Sequence, residues 1–211
     1  MGTLDMPFVS LTAYRADPVI NLTISALIVV GGIGFLTWDD VRTNRLCFHR
    51  YRLQSKVILA ATALLILLPT LYFFCFEFKG GTLRERLLLS LFQSVTPRTA
   101  GFNTADYTSL SSSGRGLTIL LMFIGGSSGS TAGGIKTTTA AVLVANAFAV
   151  FRRQKSPEMF GRRMEEKAVH DAAAIFTLYL VLSLTGAFVI STVETLSLIH
   201  ISEPTRPISI S

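Results

Sequence analysis

An apolar stretch long enough to cross a membrane, residues 117–151, is interrupted near its middle by the glycine-rich sequence GGSSGSTAGGIKTTT. Backbone N–H and C=O groups that leave a helix find no water in hydrocarbon. Irregular chain therefore survives at that depth only inside protein or along a wet cavity. The interruption predicts that this chain surrounds a polar path through a membrane.

The composition supports this prediction. Half of the residues are hydrophobic, the mean hydropathy is +0.52, and charged residues make up only 15% of the chain. The net charge of +6 does not indicate a nucleic-acid partner, because the basic residues flank apolar segments, where they orient a chain in a membrane. The sequence predicts an integral membrane protein in contact with the lipid bilayer.

Three apolar segments approach or exceed the roughly 20 residues that a crossing needs. They are residues 18–38, 57–76 and 168–196. Trp38 is predicted to mark the end of the first segment at an interface. Pro69 is predicted to kink the second helix without breaking it. The small residues of GGIGF, at 31–35, predict close packing of another helix against the first segment.

Residues 83–95 cover only about half of a crossing, which predicts a half-helix that enters the membrane and stops. Residues 39–56 and 152–167 are rich in arginine and lysine, and the positive-inside rule places both loops in the cytoplasm. Residues 1–17 then lie on the extracytoplasmic side, and the half-helix opens to that side.

The sequence SVTPRTAGFN at the end of the half-helix has the layout of a pore helix followed by a carbonyl filter. A helix C-terminus carries about half a negative charge and favours a cation. The predicted filter residues, whose carbonyls would replace the water around a dehydrated ion, are Thr99, Ala100, Gly101, Phe102 and Asn103. A plain polar loop is the alternative interpretation. Arg98 is interpreted either as a brace for the filter or as a surface charge.

The glycine-rich segment is the second candidate site, a gate. Its predicted residues are Gly125, Gly126, Ser127, Ser128, Gly129, Ser130, Thr131, Ala132, Gly133, Gly134, Ile135 and Lys136. The glycines allow the segment to change shape at small cost, and its hydroxyls can bond its own backbone. Lys136 is either a fixed cation that raises the barrier to permeation or a cap for the segment's carbonyls.

The same segment approaches the nucleotide-binding pattern GxxxxGK[ST], but Ile135 separates Gly134 from Lys136 and displaces the lysine. Membrane-type sequence flanks the segment on both sides, and the chain's serines have no histidine nearby in sequence to act as a base. The sequence therefore indicates neither an enzyme nor a bound cofactor.

The sequence SVTPRTAGFNTADYTSLS, followed by LLMFIGGSSGSTAGGIKTTT, resembles the third repeat of the TrkH/KtrB potassium uptake proteins. The resemblance implies an all-α membrane protein of potassium-channel-like helix, pore-loop, helix repeats, with one re-entrant half-helix and one broken transmembrane helix. Residues 18–38 would close the second repeat, 57–151 would form the third, and 168–196 would open the fourth. Ser128 departs from the family, which usually has proline there.

The resemblance also implies the function. K⁺ would be the transported ion, and Gly101 would be the filter glycine of a multi-pass subunit in the plasma (inner) membrane. The implied partners are a second copy in a homodimer and a cytoplasmic nucleotide-binding regulatory subunit of the TrkA/KtrA type. Because one filter strand cannot encircle an ion, a non-conducting fragment with only packing interactions is the alternative. Residues 197–211 abandon the membrane pattern and are predicted to be a non-native tail.

Overall fold

The computed structural model describes residues 11, 14–45, 47–98, 100–102, 104–105, 110–154 and 156–202. Its helices are α1 (Pro18–Ile33), α2 (Phe35–Asn44), α3 (Leu53–Tyr72), α4 (Leu83–Val95), α5 (Ser112–Phe123), α6 (Thr137–Phe151) and α7 (Glu166–Ser202). Between α6 and α7, the strands β1 (Glu158–Met159) and β2 (Arg162–Arg163) form an antiparallel hairpin. The predicted helical fold class is confirmed, with this four-residue hairpin as an addition.

Two of the described helices are long and apolar enough to cross a membrane. They are α3 with its continuation to Glu77, at 25 residues, and α7 as far as Thr192, at 27 residues. In that part of α7, no side chain of the most apolar stretch is buried against the described chain. The helices α1 and α2 reach the required length only as a pair.

The prediction of one continuous helix over residues 18–38 is wrong. The helix α1 ends at Ile33, and α2 continues at an angle of 94° to it, into the predicted loop at 39–56. Gly34 joins the two helices with φ of +85°, a conformation that favours glycine. Trp38 lies beyond the corner and donates its indole N–H to the carbonyl of Val30, at 3.0 Å.

The helix α3 begins four residues before the predicted start and contains Pro69 without ending there. Its last turn, Phe73–Glu77, widens into a π-helix, in which each hydrogen bond reaches one residue further than in an α-helix. The guanidinium of Arg86 donates to the carbonyls of Phe78 and Phe74, at 2.5 and 2.9 Å. The backbone groups at this helix end are thus partly satisfied by a side chain from α4.

The helix α4 has the bounds predicted for the half-helix. Its start is a capping box, in which Thr82 Oγ1 accepts the N–H of Glu85 and the Glu85 carboxylate accepts the N–H of Thr82. Its last turn is buried, and polar side chains join it to its neighbours. The hydroxyl of Ser94 lies 2.8 Å from that of Thr70 in α3, and the amide of Gln93 donates to Thr118 in α5.

Replacing Thr82 by alanine removes the acceptor of this capping box. We expect a loss of about 1 kcal/mol in unfolding free energy, and for a chain of this size a fall of about 2–4 °C in the thermal midpoint. Thermal unfolding of the purified protein in detergent measures the change. Thr177→Ala is the control, because Thr177 only bonds back to Ala173 within α7. Equal shifts in both variants would argue against the cap.

The broken helix appears as α5 and α6, separated by residues 124–136. The first half begins at Ser112, five residues before the predicted start, because Ser111 caps it by accepting the N–H of Gly114. The Glu77 carboxylate in turn accepts the backbone N–H of Ser111, at 3.1 Å. At the other end of the chain, α7 extends to Ser202 into the predicted tail, and residues 203–211 lie outside the described part.

Candidate functional site

The segment after α4, residues 99–103, which we call the filter turn, is anchored at its described residues, 100–102, by one buried threonine. After a single 3₁₀ turn, the carbonyl of Thr96 accepts the N–H groups of Ala100 and Gly101, each at 3.2 Å. The Thr96 hydroxyl donates to the carbonyl of Phe102 at 2.6 Å, and the Thr96 side chain is fully buried. The predicted filter residues Thr99 and Asn103 lie outside the described residues.

The middle of the filter turn is open. Gly101 and Phe102 are exposed, and a Cβ built on Gly101 would meet no described atom within 4 Å. Gly101 has φ of +69°, which lies in the left-handed region of backbone conformation. Glycine is favoured at this position by backbone conformation and not by crowding.

The predicted gate residues form one compact structure, which we call the glycine-rich loop (residues 125–136). Its two ends pair as a short parallel bridge, in which Gly125 donates to the carbonyl of Ile135 and Ile135 donates to the carbonyl of Phe123. Thr137, the first residue of α6, donates to the carbonyl of Gly126. The backbone groups released by the broken helix therefore find partners inside the protein, as irregular chain in a membrane requires.

Burial differs along the glycine-rich loop. The buried members are Gly125, Gly126, Ser127, Ala132 and Ile135. The half-buried members are Ser128, Ser130, Gly134 and Lys136, and the exposed members are Gly129, Thr131 and Gly133. The loop thus has a packed base and an exposed tip.

Two positions at the base of the loop require glycine, because atoms from the other side of the loop lie very close to them. A Cβ on Gly125 would overlap the carbonyl oxygen of Gly133 and lie 2.7 Å from its carbonyl carbon. A Cβ on Gly126 would overlap the Ala132 side chain. Real Cβ atoms do not approach other atoms this closely, so larger residues would force the two sides of the loop apart.

Two polar side chains of the loop bond to backbone carbonyls of the loop itself. The hydroxyl of Ser130 donates to the carbonyl of Ser127, at 2.7 Å. The ammonium of Lys136 donates to the carbonyl of Ala132, at 2.7 Å. Of the two interpretations of Lys136, this geometry fits the cap on the loop's carbonyls.

The loop also docks on the corner between α1 and α2. Ser127 donates its N–H to the carbonyl of Gly32, at 2.9 Å, and its hydroxyl to the carbonyl of Ile33. The N–H of Phe35 donates to the carbonyl of Gly129, at 3.4 Å. The sequence predicted that another helix packs at GGIGF, residues 31–35. It did not predict these contacts with the glycine-rich loop. The third glycine of that motif, Gly34, was the available signal for a corner.

Arg98 joins the two candidate sites. Its side chain is only 8% exposed, which excludes the interpretation as a surface charge. The guanidinium donates to the carbonyl of Gly125 at 3.4 Å, and its Nε has no hydrogen-bond partner among the residues that the structure describes. The residue that precedes the filter turn is therefore bonded to the base of the glycine-rich loop.

Comparison with known proteins supports the family resemblance. The family model TrkH, described as a cation transport protein, matches residues 4–204. The potassium/sodium uptake protein NtpJ of Enterococcus hirae is 42% identical over 195 residues, which cover 89% of this chain and 42% of NtpJ. The Ktr system potassium uptake protein B of Bacillus subtilis is 38% identical over 191 residues, covering 88% of this chain and 43% of that protein.

The fold is also similar to the crystal structure of the potassium transporter TrkH from Vibrio parahaemolyticus. The TM-score is 0.67 at 20% sequence identity, and the match covers 79% of this chain and 37% of that one. This chain spans less than half the length of the curated relatives named above. The match to the family model nevertheless covers nearly the whole chain, and the chain therefore belongs to the TrkH family of cation transport proteins.

Proposed function

We propose that this chain is part of a pore-forming subunit that transports K⁺ through the plasma (inner) membrane. The observation that carries the proposal is the juxtaposition of three features. They are a half-helix whose last turn is buried, a segment at its end that contains Gly101, and a broken membrane helix that is bonded to the residue before that segment, Arg98. The choice of ion is supported by the two similar proteins above, a potassium/sodium uptake protein and a potassium uptake protein.

The filter turn supplies the ion chemistry in this proposal. The backbone carbonyls of residues 99–103 replace part of the hydration shell of K⁺, and the C-terminal end of α4 favours the cation electrostatically. The anchoring of the turn by Thr96 supports this role, because carbonyls that bind a dehydrated ion must be held in place. Equivalent turns from the other repeats complete the ring around the ion.

The glycine-rich loop is the gate in this proposal. Its packed base fixes it at the inner end of the filter turn, where Arg98 contacts Gly125. The exposed tip, with φ of +78° at Gly129, leaves room for a change of shape. The conformation described above, in which the loop is bonded on several sides, is the closed one. Ions pass when the loop moves aside.

The remaining assignments follow the repeat architecture. The corner of α1 and α2 closes the second repeat, α3 to α6 form the third, and α7 opens the fourth, in a multi-pass subunit that pairs as a homodimer. A cytoplasmic nucleotide-binding subunit of the TrkA/KtrA type contacts the two basic loops. The exposure of their arginine side chains supports this contact, and the exposed members are Arg42, Arg45, Arg50, Arg52, Arg152, Arg153, Arg162 and Arg163.

A chimera tests the proposed function. The part of this chain that aligns with NtpJ, 89% of its length, replaces the matching segment of NtpJ. The product is expressed in cells that lack their own potassium uptake. We expect growth at low external K⁺ and uptake of ⁸⁶Rb⁺ above that of cells with an empty vector. A chimera that reaches the membrane but restores neither growth nor uptake would favour the non-conducting alternative.

A further inference from the structure

The corner between α1 and α2 is completed by residues from a distant part of the chain. The last carbonyls of a helix and the first N–H groups of the next have no partners within their own helices. Here the carbonyls of Gly32 and Ile33 are bonded by Ser127, and the N–H of Phe35 is bonded by Gly129. The glycine-rich loop therefore caps both helices at once.

The fit at this corner leaves no space for a side chain. A Cβ on Gly34 would lie 2.7 Å from the Ser127 hydroxyl and 2.8 Å from the carbonyl oxygen of Ser128. Ser127 itself is fully buried. Any rotation of α2 about Gly34 must therefore break contacts with the loop or move the loop with it.

The second half of α2 is bonded to the start of α3 through Asp40. Asp40 is only 3% exposed, and its carboxylate accepts the hydroxyl of Ser55 at 2.5 Å and the N–H of Arg52 at 3.2 Å. The guanidinium of Arg52 also lies 3.4 Å from Asp40 and is largely exposed. A ten-residue helix, about 15 Å long, thus connects this exposed basic surface to the glycine-rich loop.

We infer that the α1–α2 corner holds the glycine-rich loop closed, and that α2 carries displacements of the basic loop at 39–56 to it. Gly34 and Ser127 are the positioning residues of this coupling. The inference rests on the proposed function, because it assigns a consequence for ion flux to the docked loop.

The first test is Ser127→Ala in the NtpJ chimera. This substitution removes one buried hydrogen bond, which shifts the equilibrium between docked and released loop by about a factor of five. We therefore expect the initial rate of ⁸⁶Rb⁺ uptake to rise about fivefold. Ser113→Ala, an exposed serine in α5, is the control and should leave uptake unchanged. Uptake unchanged by Ser127→Ala, in a chimera whose uptake is abolished by Gly101→Asp, would overturn the inference and leave the proposed function intact.

Gly34→Ala tests the docking from the other side of the contact, even if Ser127→Ala misfolds. The added Cβ would lie 2.7 Å from the Ser127 hydroxyl oxygen and 2.8 Å from the carbonyl oxygen of Ser128, so it should push the glycine-rich loop off the corner. We expect the initial rate of ⁸⁶Rb⁺ uptake by the chimera to rise about fivefold or more. A Gly34→Ala chimera that reaches the membrane without raised uptake would overturn the inference.

Gly31→Ala is the matched control for Gly34→Ala. It adds the same methyl group to α1, where the Cβ would meet no described atom within 4 Å, and should leave uptake unchanged. Equal uptake by the two variants would show that the docked loop does not limit the flux. If uptake were also insensitive to Gly101→Asp, the proposed function would fail with the inference.

Discussion

Gly101→Asp is expected to reduce ⁸⁶Rb⁺ uptake by the NtpJ chimera about 100-fold, equivalent to roughly 2.7 kcal/mol added to the barrier. Two physical effects contribute. Gly101 has φ of +69°, which other residues resist, so the substitution distorts the turn that presents the carbonyls. The new carboxylate would also bind a cation too tightly for it to leave, and conduction needs binding that is weak enough for exit.

Two control variants separate these effects from general damage. Gly80→Asp adds the same charge in an exposed turn between α3 and α4, where no described atom lies within 4 Å of the added Cβ, and should leave uptake within about twofold. Gly101→Ala adds a Cβ in open space, so any loss reports on the backbone conformation alone. Normal uptake by the Gly101→Asp chimera would show that the filter turn does not line the ion path.

The parts of the fold that the sequence predicted are those with local determinants. The half-helix α4 was predicted with its bounds because the apolar run at 83–95 is too short for a crossing and Pro97 follows its end. The structure adds Thr82 as the cap of its first turn. The interruption between α5 and α6 was predicted because a glycine-rich segment cannot remain helical at low cost. In both cases the signal and the structure lie within a few residues of each other.

The parts that the sequence missed depend on distant contacts. In the helix predicted at 18–38, Gly34 was the one local signal for an end at Ile33, whereas the carbonyl of Ile33 is bonded by Ser127, 94 residues further along the chain. The burial of Arg98 likewise depends on the position of Gly125, 27 residues away. Hydropathy and turn signals are local, so they cannot assign such partners. The family resemblance supplied the identity of the loop but not these contacts.

Gly125→Ala is expected to be the most destabilising substitution in the glycine-rich loop. The added methyl group would overlap the carbonyl oxygen of Gly133 and lie 3.2 Å from the Cα of Gly134, both of which are backbone atoms that cannot rotate away. Overpacking of this kind costs about 3 kcal/mol, and a chain of this size should then lose roughly 6–12 °C in its thermal midpoint. The measurement is the thermal unfolding of the purified protein in detergent.

Gly133→Ala is the matched control, because it adds the same methyl group on the opposite side of the same contact. A Cβ on Gly133 would meet no described atom within 4 Å, so its thermal midpoint should stay within about 2 °C of the parent. Both variants replace one glycine by alanine in the same segment. A difference between their thermal midpoints therefore reports on the contact between the two ends of the loop. Equal midpoints would mean that the folded protein does not bring Gly125 against Gly133. In that case the loop would not have the packed base on which the proposed gate depends.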